Sequence, residues 1–336
     1  MSTRLGSLEI VDVAQVKSRG ALYVAESRIL SIRKFLPSVI SISVANPTLY
    51  LIAIGLGVGK LINSHSGGVD GVSYLTFLAP ALLAAAAIQT AMDEVVFTTI
   101  QGFKWGKIFF AMNATPLSGK QIANGVFLSA MLRTAFSVIV YGAVIDLFGG
   151  FRSARGWLAV LVGLLAGAAF GALLLGISAW IKNDDQFFNV LGRFIMMPLF
   201  LFSGTFYQLS TLPIFLRWIG WLSPIWHATE LGRFLTYGHH ISPLMFVVHF
   251  GYLLAMLTFG TLLSWHQFES RLRKCVLRAR SLLRKLERVV LRKVVTQAVG
   301  ASYSNAVGWH LRIRRGSRCS LDFSSQFSTY SLLDMD

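Results

Sequence analysis

Long apolar runs with few charges constrain the fold of this chain more than any other feature of its sequence. Six such runs occur, at residues 36–58, 75–93, 123–147, 157–180, 187–207 and 243–265. A helix of about 20 residues rises roughly 30 Å, which is the thickness of the hydrocarbon core of a bilayer. We therefore predict an all-α integral membrane protein with six transmembrane helices.

The composition supports this prediction and suggests three regions. Only 14% of the 336 residues are charged, compared with about 25% in soluble domains, and the mean hydropathy is +0.60. We expect a cytoplasmic N-terminus with an interfacial helix (1–35), a six-span membrane domain (36–265) and a basic, partly disordered cytoplasmic tail (266–336). The first apolar run begins near Phe35, which is late for a cleavable signal peptide, so none is expected.

The distribution of lysine and arginine predicts the orientation. The net charge is +16, and 14 of the 31 basic residues follow Trp265. If the N-terminus is cytoplasmic, the outer segments hold few basic residues: Lys60, Arg152, Arg155, Arg217 and Arg233. Because cytoplasmic loops carry the excess of positive charge, we predict a multi-pass protein of the plasma membrane with both termini in the cytoplasm.

The fourth run contains Gly163, Gly167 and Gly171 at intervals of four residues, so these glycines share one face of a helix. Small residues in such a row let two membrane helices approach closely. The row predicts tight helix packing against an unspecified partner. The other interpretation is that glycine is simply common in membrane helices.

The connection at 94–121 contains an apolar pattern at helical spacing. Trp105, Ile108, Phe109 and Met112 fall on one predicted helical face, and Pro116 follows in a turn. The pattern predicts a short amphipathic helix on the cytoplasmic side. It suits either a docking helix for another protein or an anchor at the membrane surface.

The segment 201–233 is apolar but interrupted. Pro213 and Pro224 break helices, and tryptophans at 218, 221 and 226 are typical of the membrane–water boundary. We predict a pair of short re-entrant helices before the last span, on the outer side. An amphipathic loop lying on the membrane surface is the alternative.

A few ionisable residues lie in or near the spans. Arg133 lies within the third run, where a charged side chain costs free energy unless it faces protein or water. It could contact an acidic headgroup in a transport path, pair with Asp93, or extend to the nearby membrane surface. Glu230 and Arg233 are spaced for a helical ion pair, which could gate a path or hold the outer helices together.

The sequence offers little support for a catalytic or metal-binding site. The run GLGVGK at 55–60 lacks the glycine at 54 and the hydroxyl residue at 61 that a phosphate-binding loop needs. Neither the histidine pair at 239–240 nor His249 has partners at metal-ligand spacing. We expect no catalytic residue, no metal site and no cofactor bound by this chain.

Three motifs together resemble a known family. FSGTFYQLSTLPIFLRWIGWLSPIWHATELGR (202–233), NPTLYLIAIGLGVG (46–59) and WGKIFFAMNATPLSGKQI (105–122) occur in the order and spacing of the permease subunits of type-2 ATP-binding-cassette exporters. That group includes nodulation-factor, capsule and lipopolysaccharide exporters and daunorubicin-type drug exporters. One departure is Gln208, where family members often have proline.

The resemblance implies roles for the residues above. The loop residues Trp105, Ile108, Phe109, Met112 and Pro116 would couple to a separate ATPase, which would carry ATP and magnesium. A second permease copy, identical or different, would complete the path. The outer re-entrant or gate residues would be Gly204, Phe206, Tyr207, Pro213, Pro224, Glu230 and Arg233.

We therefore predict a permease subunit that exports an amphiphilic cargo, namely a polysaccharide, a lipid-linked saccharide or a drug. A secondary transporter would need inverted repeats and ion-coupling carboxylates, and a membrane-embedded enzyme would need a catalytic set. The basic amphipathic run from Arg271 suits anionic membrane lipids. Nucleic-acid binding would rest on charge alone and is not expected.

Overall fold

The computed structural model describes residues 13–33, 36–152, 154–181 and 187–299. Within these ranges the chain is helical and forms no β-strand, which confirms the predicted all-α class. The α-helices are α1 (Val13–Arg33), α2 (Leu36–Tyr50), α3 (Gly59–Ser66), α4 (Tyr74–Ile100), α5 (Ile108–Asn113), α6 (Gly119–Leu147), α7 (Leu158–Trp180), α8 (Phe187–Val190), α9 (Met197–Phe202), α10 (Ile214–Leu222), α11 (Pro224–Tyr237) and α12 (Pro243–Val299).

Several helices are joined by short π- or 3₁₀-helical segments. Wider π turns occur at Leu51–Val58, Gln101–Trp105 and Leu191–Met196, and 3₁₀ turns occur at Ala154–Trp157 and Leu209–Thr211. The glycine-rich run at 55–60 therefore lies within continuous helix. A phosphate-binding loop would instead leave its backbone N–H groups free in a turn.

Five helices in the described part of the chain are long and apolar enough to cross a membrane: Ser43–His65, Tyr74–Trp105, Gly119–Leu147, Ala154–Trp180 and Pro243–Arg273. The predicted fifth run, 187–207, differs from the other five. Its apolar helix, Leu191–Phe202, is shorter, and it ends before a turn at Ser203 and Gly204, where Gly204 has φ of 71°. The long helices thus number five here, against the six spans predicted.

Helix α4 lies at the centre of the molecule and is mostly buried. It packs against α6, α7 and α11. Its side chains belong to two apolar clusters, one towards each end of the bundle. Leu78 and Leu83 lie in one cluster, and Met92 and Val96 lie in the other. The two ends are called outer and inner, respectively, after the orientation that the sequence predicts.

The predicted glycine row lies against α4. A Cβ added to Gly167 would lie 2.9 Å from the backbone oxygen of Ala87, and one added to Gly163 would lie 3.4 Å from that of Leu83. Gly171 faces Ala91. The partner of this row, which the sequence left open, is therefore α4.

A second close approach, which the sequence did not reveal, joins α7 to α12. A Cβ on Gly260 would lie 2.4 Å from the backbone nitrogen of Leu173, and one on Gly176 would lie 2.7 Å from Leu263. Because each helix contributes only one glycine to this contact, no repeat along either helix could reveal it. The two helices approach closely here because glycine has no side chain.

Helix α1 packs along α6. Gly125 of α6 makes room for Val24, because a Cβ there would lie 2.5 Å from it. The side chains of Leu22 and Leu30 are exposed on the other side of α1. α1 thus has one face against protein and one apolar face outward.

The chain divides into two compact units, one ending at Leu272 and the other beginning at Arg273. Helix α12 runs without a break through the predicted boundary at 266. The side chains after Arg273, and residues 1–12 and 300–336, lie outside the described part of the chain. The predicted amphipathic and disordered parts of the tail fall there.

Candidate functional site: an inner loop, an outer helix pair and the cavity between them

The inner loop between α4 and α6 contains a break that divides the predicted amphipathic helix. The π turn after α4 ends at Trp105, Lys107 adopts a left-handed conformation with φ of 50°, and α5 begins only at Ile108. The prediction that Trp105 shares one helical face with Ile108, Phe109 and Met112 is therefore wrong. A helix cannot continue through a left-handed residue with a side chain.

Phe109 faces the bundle. Its side chain is fully buried, and its ring centroid lies 4.9 Å from that of Phe103 and 5.5 Å from that of Phe268 on α12. Gly102 leaves the space for this ring, since a Cβ there would lie 2.2 Å from it. Met112 also packs, partly buried, against the same cluster.

The other predicted coupling residues face outward. Trp105 is 61% exposed and Ile108 is 39% exposed, and Pro116 is exposed in the turn before α6. That turn is fixed by a capping box in which Ser118 and Gln121 bond to each other's backbone N–H groups. The loop therefore has a buried aromatic side and an exposed apolar side, both on a short, well-anchored segment.

A charged network lies just above this loop. Arg133 of α6 forms an ion pair with Glu94, and Thr98 also donates a hydrogen bond to Glu94. Pairing with Asp93 was one of the alternatives that the sequence left open for Arg133, and the ion pair is formed with the adjacent Glu94 instead. Asp93 instead accepts a hydrogen bond from Gln89 (2.9 Å).

Arg28 of α1 joins the same network. Its guanidinium donates to the hydroxyl of Thr98 and to the side chain of Gln101 (3.5 Å). Burial lowers the pKa of Arg28, and the nearby carboxylate of Glu94 opposes that shift. Arg28 therefore ties α1 to the inner end of α4.

The outer segment consists of two short helices, α10 and α11, joined at Ser223. Pro213 precedes α10 and Pro224 is the first residue of α11, where a missing N–H costs nothing. Ser223 caps α11, and its hydroxyl accepts a hydrogen bond from Ser203 (2.6 Å). The two predicted short helices are thus present at the predicted prolines.

The turn between α9 and α10 is held by aromatic side chains. Phe206 packs edge-to-face on Phe200 (5.2 Å between centroids), and its carbonyl accepts a hydrogen bond from the hydroxyl of Tyr74 (3.1 Å). Tyr207 donates to the carbonyl of Leu201 (2.7 Å). These contacts fix the turn to the outer ends of α4 and α9.

Arg233 is the most deeply buried charge in the described part of the chain, at 1% exposure. It bonds to the carboxylate of Glu230 (3.0 Å) and to the carbonyl of Gly204 (2.8 Å), and its guanidinium lies 3.8 Å from the centroid of the Phe77 ring. The predicted Glu230–Arg233 pair is therefore formed, and it links α11 to the turn at Gly204 and to α4.

The cluster extends to the outer surface. His239 lies 2.5 Å from Asp70 and 3.4 Å from Glu230, and Tyr237 donates to Asp70 (2.9 Å). Burial raises the pKa of Tyr237, so its hydroxyl remains a donor. Asp70 belongs to the α3–α4 connection, which is thereby attached to α11.

His227 and His249 form a buried pair that the sequence did not reveal, because 22 residues separate them. Nε2 of His227 lies 3.0 Å from the carbonyl of Trp221, which can only accept, so this nitrogen is the donor. Nδ1 of His227 then accepts from Nδ1 of His249 at 2.8 Å. Among the described residues, no group of three or more His, Cys, Asp or Glu side chains could hold a metal ion.

A cavity of about 740 Å³ lies between the first span, α4, α6 and the helical segment at 191–202. Its polar wall includes Gln89, Asp93 and Arg133, and Phe200 lies on its apolar wall. It is thus placed between the inner loop and the outer helix pair. Arg133, predicted as a possible path residue, lines this cavity while it is paired with Glu94.

Long apolar helices and a half-open cavity with polar and apolar walls are features of an integral membrane protein. A family model described as "ABC-2 type transporter" matches residues 27–237. The chain belongs to the ABC-2 type transporter family, and the predicted resemblance to its permease subunits is confirmed.

The chain is similar in sequence to a nodulation protein and to a transport permease. It is 27% identical over 204 residues to Nodulation protein J of Rhizobium leguminosarum bv. viciae, covering 60% of this chain and 75% of the relative. It is 28% identical over 221 residues to the inner membrane transport permease YadH of Escherichia coli K12, covering 65% of this chain and 82% of the relative. The second relative is by its name a transport protein of an inner membrane, which agrees with the long apolar helices of this chain.

Proposed function

We propose that this chain is the permease subunit of an ATP-driven exporter. It works as a dimer with a second permease copy and with a separate ATPase that binds ATP and magnesium. The cargo is an amphiphile, such as a polysaccharide, a lipid-linked saccharide or a drug, and it leaves across the plasma membrane. Family membership supports the class of transporter, and the geometry of the inner loop supports the coupling.

In the membrane, the proposed arrangement has both termini in the cytoplasm. The run 187–207 is the fifth of six crossings, α1 lies along the inner surface, and α10 and α11 enter the outer leaflet part-way. Exposed Trp218 and Trp221 on α10 support this depth, since tryptophan concentrates at the membrane–water boundary. The bias of lysine and arginine supports the orientation.

The observation that carries the coupling proposal is the two-sided inner loop. Phe109 fixes α5 to the turn that follows α4 and to the interior of α12 through its aromatic neighbours, while Trp105 and Ile108 remain exposed. An ATPase that binds the exposed side can therefore act on both long helices when it closes. A loop that merely rested on lipid would not need this rigid attachment.

The test uses the full chain co-expressed with a candidate ABC ATPase from the same genome. We expect Trp105→Asp and Ile108→Asp each to lower the amount of co-purified ATPase at least tenfold, because a buried apolar anchor in an interface contributes about 2 kcal/mol or more. ATP-driven transport in liposomes should fall in parallel. Leu147→Asp is the matched control, since Leu147 is 86% exposed at the outer end of α6, and it should leave the complex intact.

Two results would contradict the proposal. Normal ATPase binding by both inner-loop variants would leave the loop as a membrane anchor only. Transport that follows an ion gradient and ignores ATP would instead indicate a secondary transporter.

A further inference from the structure

The cavity between the first span, α4, α6 and the 191–202 segment has a polar end and an apolar end. On α4, which runs inward, Leu82 precedes Gln89 and Asp93; on α6, which runs outward, Arg133 precedes Tyr141. All of these residues line the cavity. Two antiparallel helices thus place their charged residues towards the inner side and their apolar or aromatic residues towards the outer side.

The polar wall lies deep within the span. Gln89 is exposed and lies midway between Tyr74 and Trp105, roughly 24 Å from either end at 1.5 Å per residue. Polar groups at this depth are costly unless they face protein, water or a ligand. The wall is therefore suited to a polar occupant.

Several polar atoms that line the cavity lack hydrogen-bond partners among the described residues. On the polar wall, the hydrogen bond of Asp93 uses only Oδ1, which accepts from Gln89, and Oδ2 has no partner in the described part of the chain. Ser43 and Ser137 add hydroxyls to this wall, 3.4 Å apart. Towards the aromatic end, the hydroxyls of Tyr50 and Tyr141 also have no partner within the described ranges, although both residues line the cavity.

The charged residues of the polar wall determine which kind of ligand head group the cavity suits. The cation, Arg133, is already paired with Glu94, which is only 6% exposed and lies behind the wall. The carboxylate left facing the cavity is that of Asp93. The site is therefore suited to hydrogen-bond donors and positive charge, and it disfavours an anionic head group.

The apolar end is suited to a hydrocarbon chain. Ala53, Ile54, Met196, Met197 and Phe200 line it, and the ring of Tyr50 lies edge-to-face with Phe200 (6.2 Å between centroids). The volume of about 740 Å³ falls in the range of small-molecule sites, about 300–1,000 Å³.

We propose that this cavity, within a single subunit, binds an amphiphile whose head is uncharged or cationic and rich in hydroxyl or amino donors. Asp93 and Gln89 bind the head, and Met196 and Phe200 contact the chain. The proposal rests on the export function above and specifies the cargo class for it.

The test uses the full chain in phosphatidylcholine nanodiscs, without ATP and without an ATPase. Three photo-crosslinking probes carry the same alkyl chain with a diazirine and differ only in the head: glucose, a primary amine or a phosphate. We expect saturable labelling of the segments around Tyr50 and 196–200 by the glucoside and the amine, with at least tenfold weaker apparent affinity for the phosphate. Which of the first two binds more tightly identifies the head as a saccharide or an amine.

Asp93→Asn should weaken binding of the preferred probe about tenfold, because a hydrogen bond to a charged group is lost. Asp146→Asn, at the outer end of α6, is the matched control and should leave binding unchanged. Ala53→Phe fills the apolar end and should abolish labelling by all probes, while the melting temperatures of the variants show that they are folded.

Equal labelling by the phosphate probe, or unchanged affinity in a folded Asp93→Asn variant, would overturn the proposal. So would the absence of labelling by any probe, which would mean that a second copy of the chain covers the cavity. Labelling without ATP-driven transport would contradict the export function alone. Transport that is insensitive to Asp93→Asn would contradict the cavity assignment alone.

Discussion

The two ends of the bundle are held together by different interactions. At the inner end, α5 is attached by packed aromatic rings, with Phe109 between Phe103 and Phe268. At the outer end, α11 is attached by a buried guanidinium, that of Arg233, which satisfies a carboxylate and a backbone carbonyl. Burial of the aromatic rings is favoured by the hydrophobic effect, which depends on the area removed from water, whereas a buried charge is stable only while its particular partners are kept. The inner end is therefore held by close packing, and the outer end by a few specific bonds that one substitution would remove together.

The substitution expected to have the largest effect on this difference between the two ends is Arg233→Met. The variant leaves Glu230 and the carbonyl of Gly204 without their buried partner, so the free energy of unfolding should fall by about 3–5 kcal/mol. Unfolding by SDS titration in mild detergent measures the loss. Arg217→Met is the control: Arg217 also donates to two backbone carbonyls but is less buried, so its loss should cost only about 1 kcal/mol. Equal stability of both variants would show that the buried charge does not hold the outer end.

At the inner end, Gly102→Ala should cost about 1–3 kcal/mol through overpacking. The new Cβ would lie 2.2 Å from the Phe109 ring, which its aromatic neighbours prevent from moving. A second substitution, Phe109→Leu, should recover part of the loss, as a double-mutant cycle by the same SDS titration would measure. Gly251→Ala, where nothing lies within 4 Å of the added Cβ, should be neutral or stabilising. Additive effects of Gly102→Ala and Phe109→Leu would contradict the packing argument.

The smallest expected effect on stability concerns the hydrogen bond between Tyr237 and Asp70 at the outer surface. Tyr237→Phe removes the hydrogen bond to Asp70 and should lower the unfolding free energy by about 1 kcal/mol. Because burial raises the pKa of Tyr237 above that of a tyrosine in the unfolded chain, the contribution should be complete below about pH 10 and should shrink as the pH rises further, since the unfolded tyrosine then loses its proton first. Tyr23→Phe on α1 should change stability by less than about 0.5 kcal/mol, since Tyr23 is exposed. A loss in Tyr237→Phe that already vanishes near neutral pH, or that grows as the pH rises above about 10, would contradict the assignment.

Features that repeat along one helix could be read from the sequence. The row of Gly163, Gly167 and Gly171 follows from spacing alone, as do the apolar runs and the helix breaks at Pro213 and Pro224. The identity of the partner helix could not be read, because any of several helices could supply a close-packed face.

Features that depend on helix rotation could not be predicted. Asp93 and Glu94 are adjacent and project about 100° apart, so the rotation of α4 alone decided which of them would pair with Arg133. The break at Lys107 turned Phe109 inward and left Trp105 outward, and lysine carries no signature of a left-handed conformation. The short helix at 191–202 ended early for a similar reason, a turn at Gly204 whose position only tertiary packing specifies.

One contact described above has a mechanical consequence for α4. Near its middle, the backbone of Ala87 lies directly against Gly167, while its outer part touches Gly232 through Pro80 and its inner extension carries Phe103. The helix is continuous from Tyr74 to Ile100 and leads directly into the turn that holds Phe103. A force applied to Phe103 is therefore transmitted along one rigid element to the contact between Pro80 and Gly232.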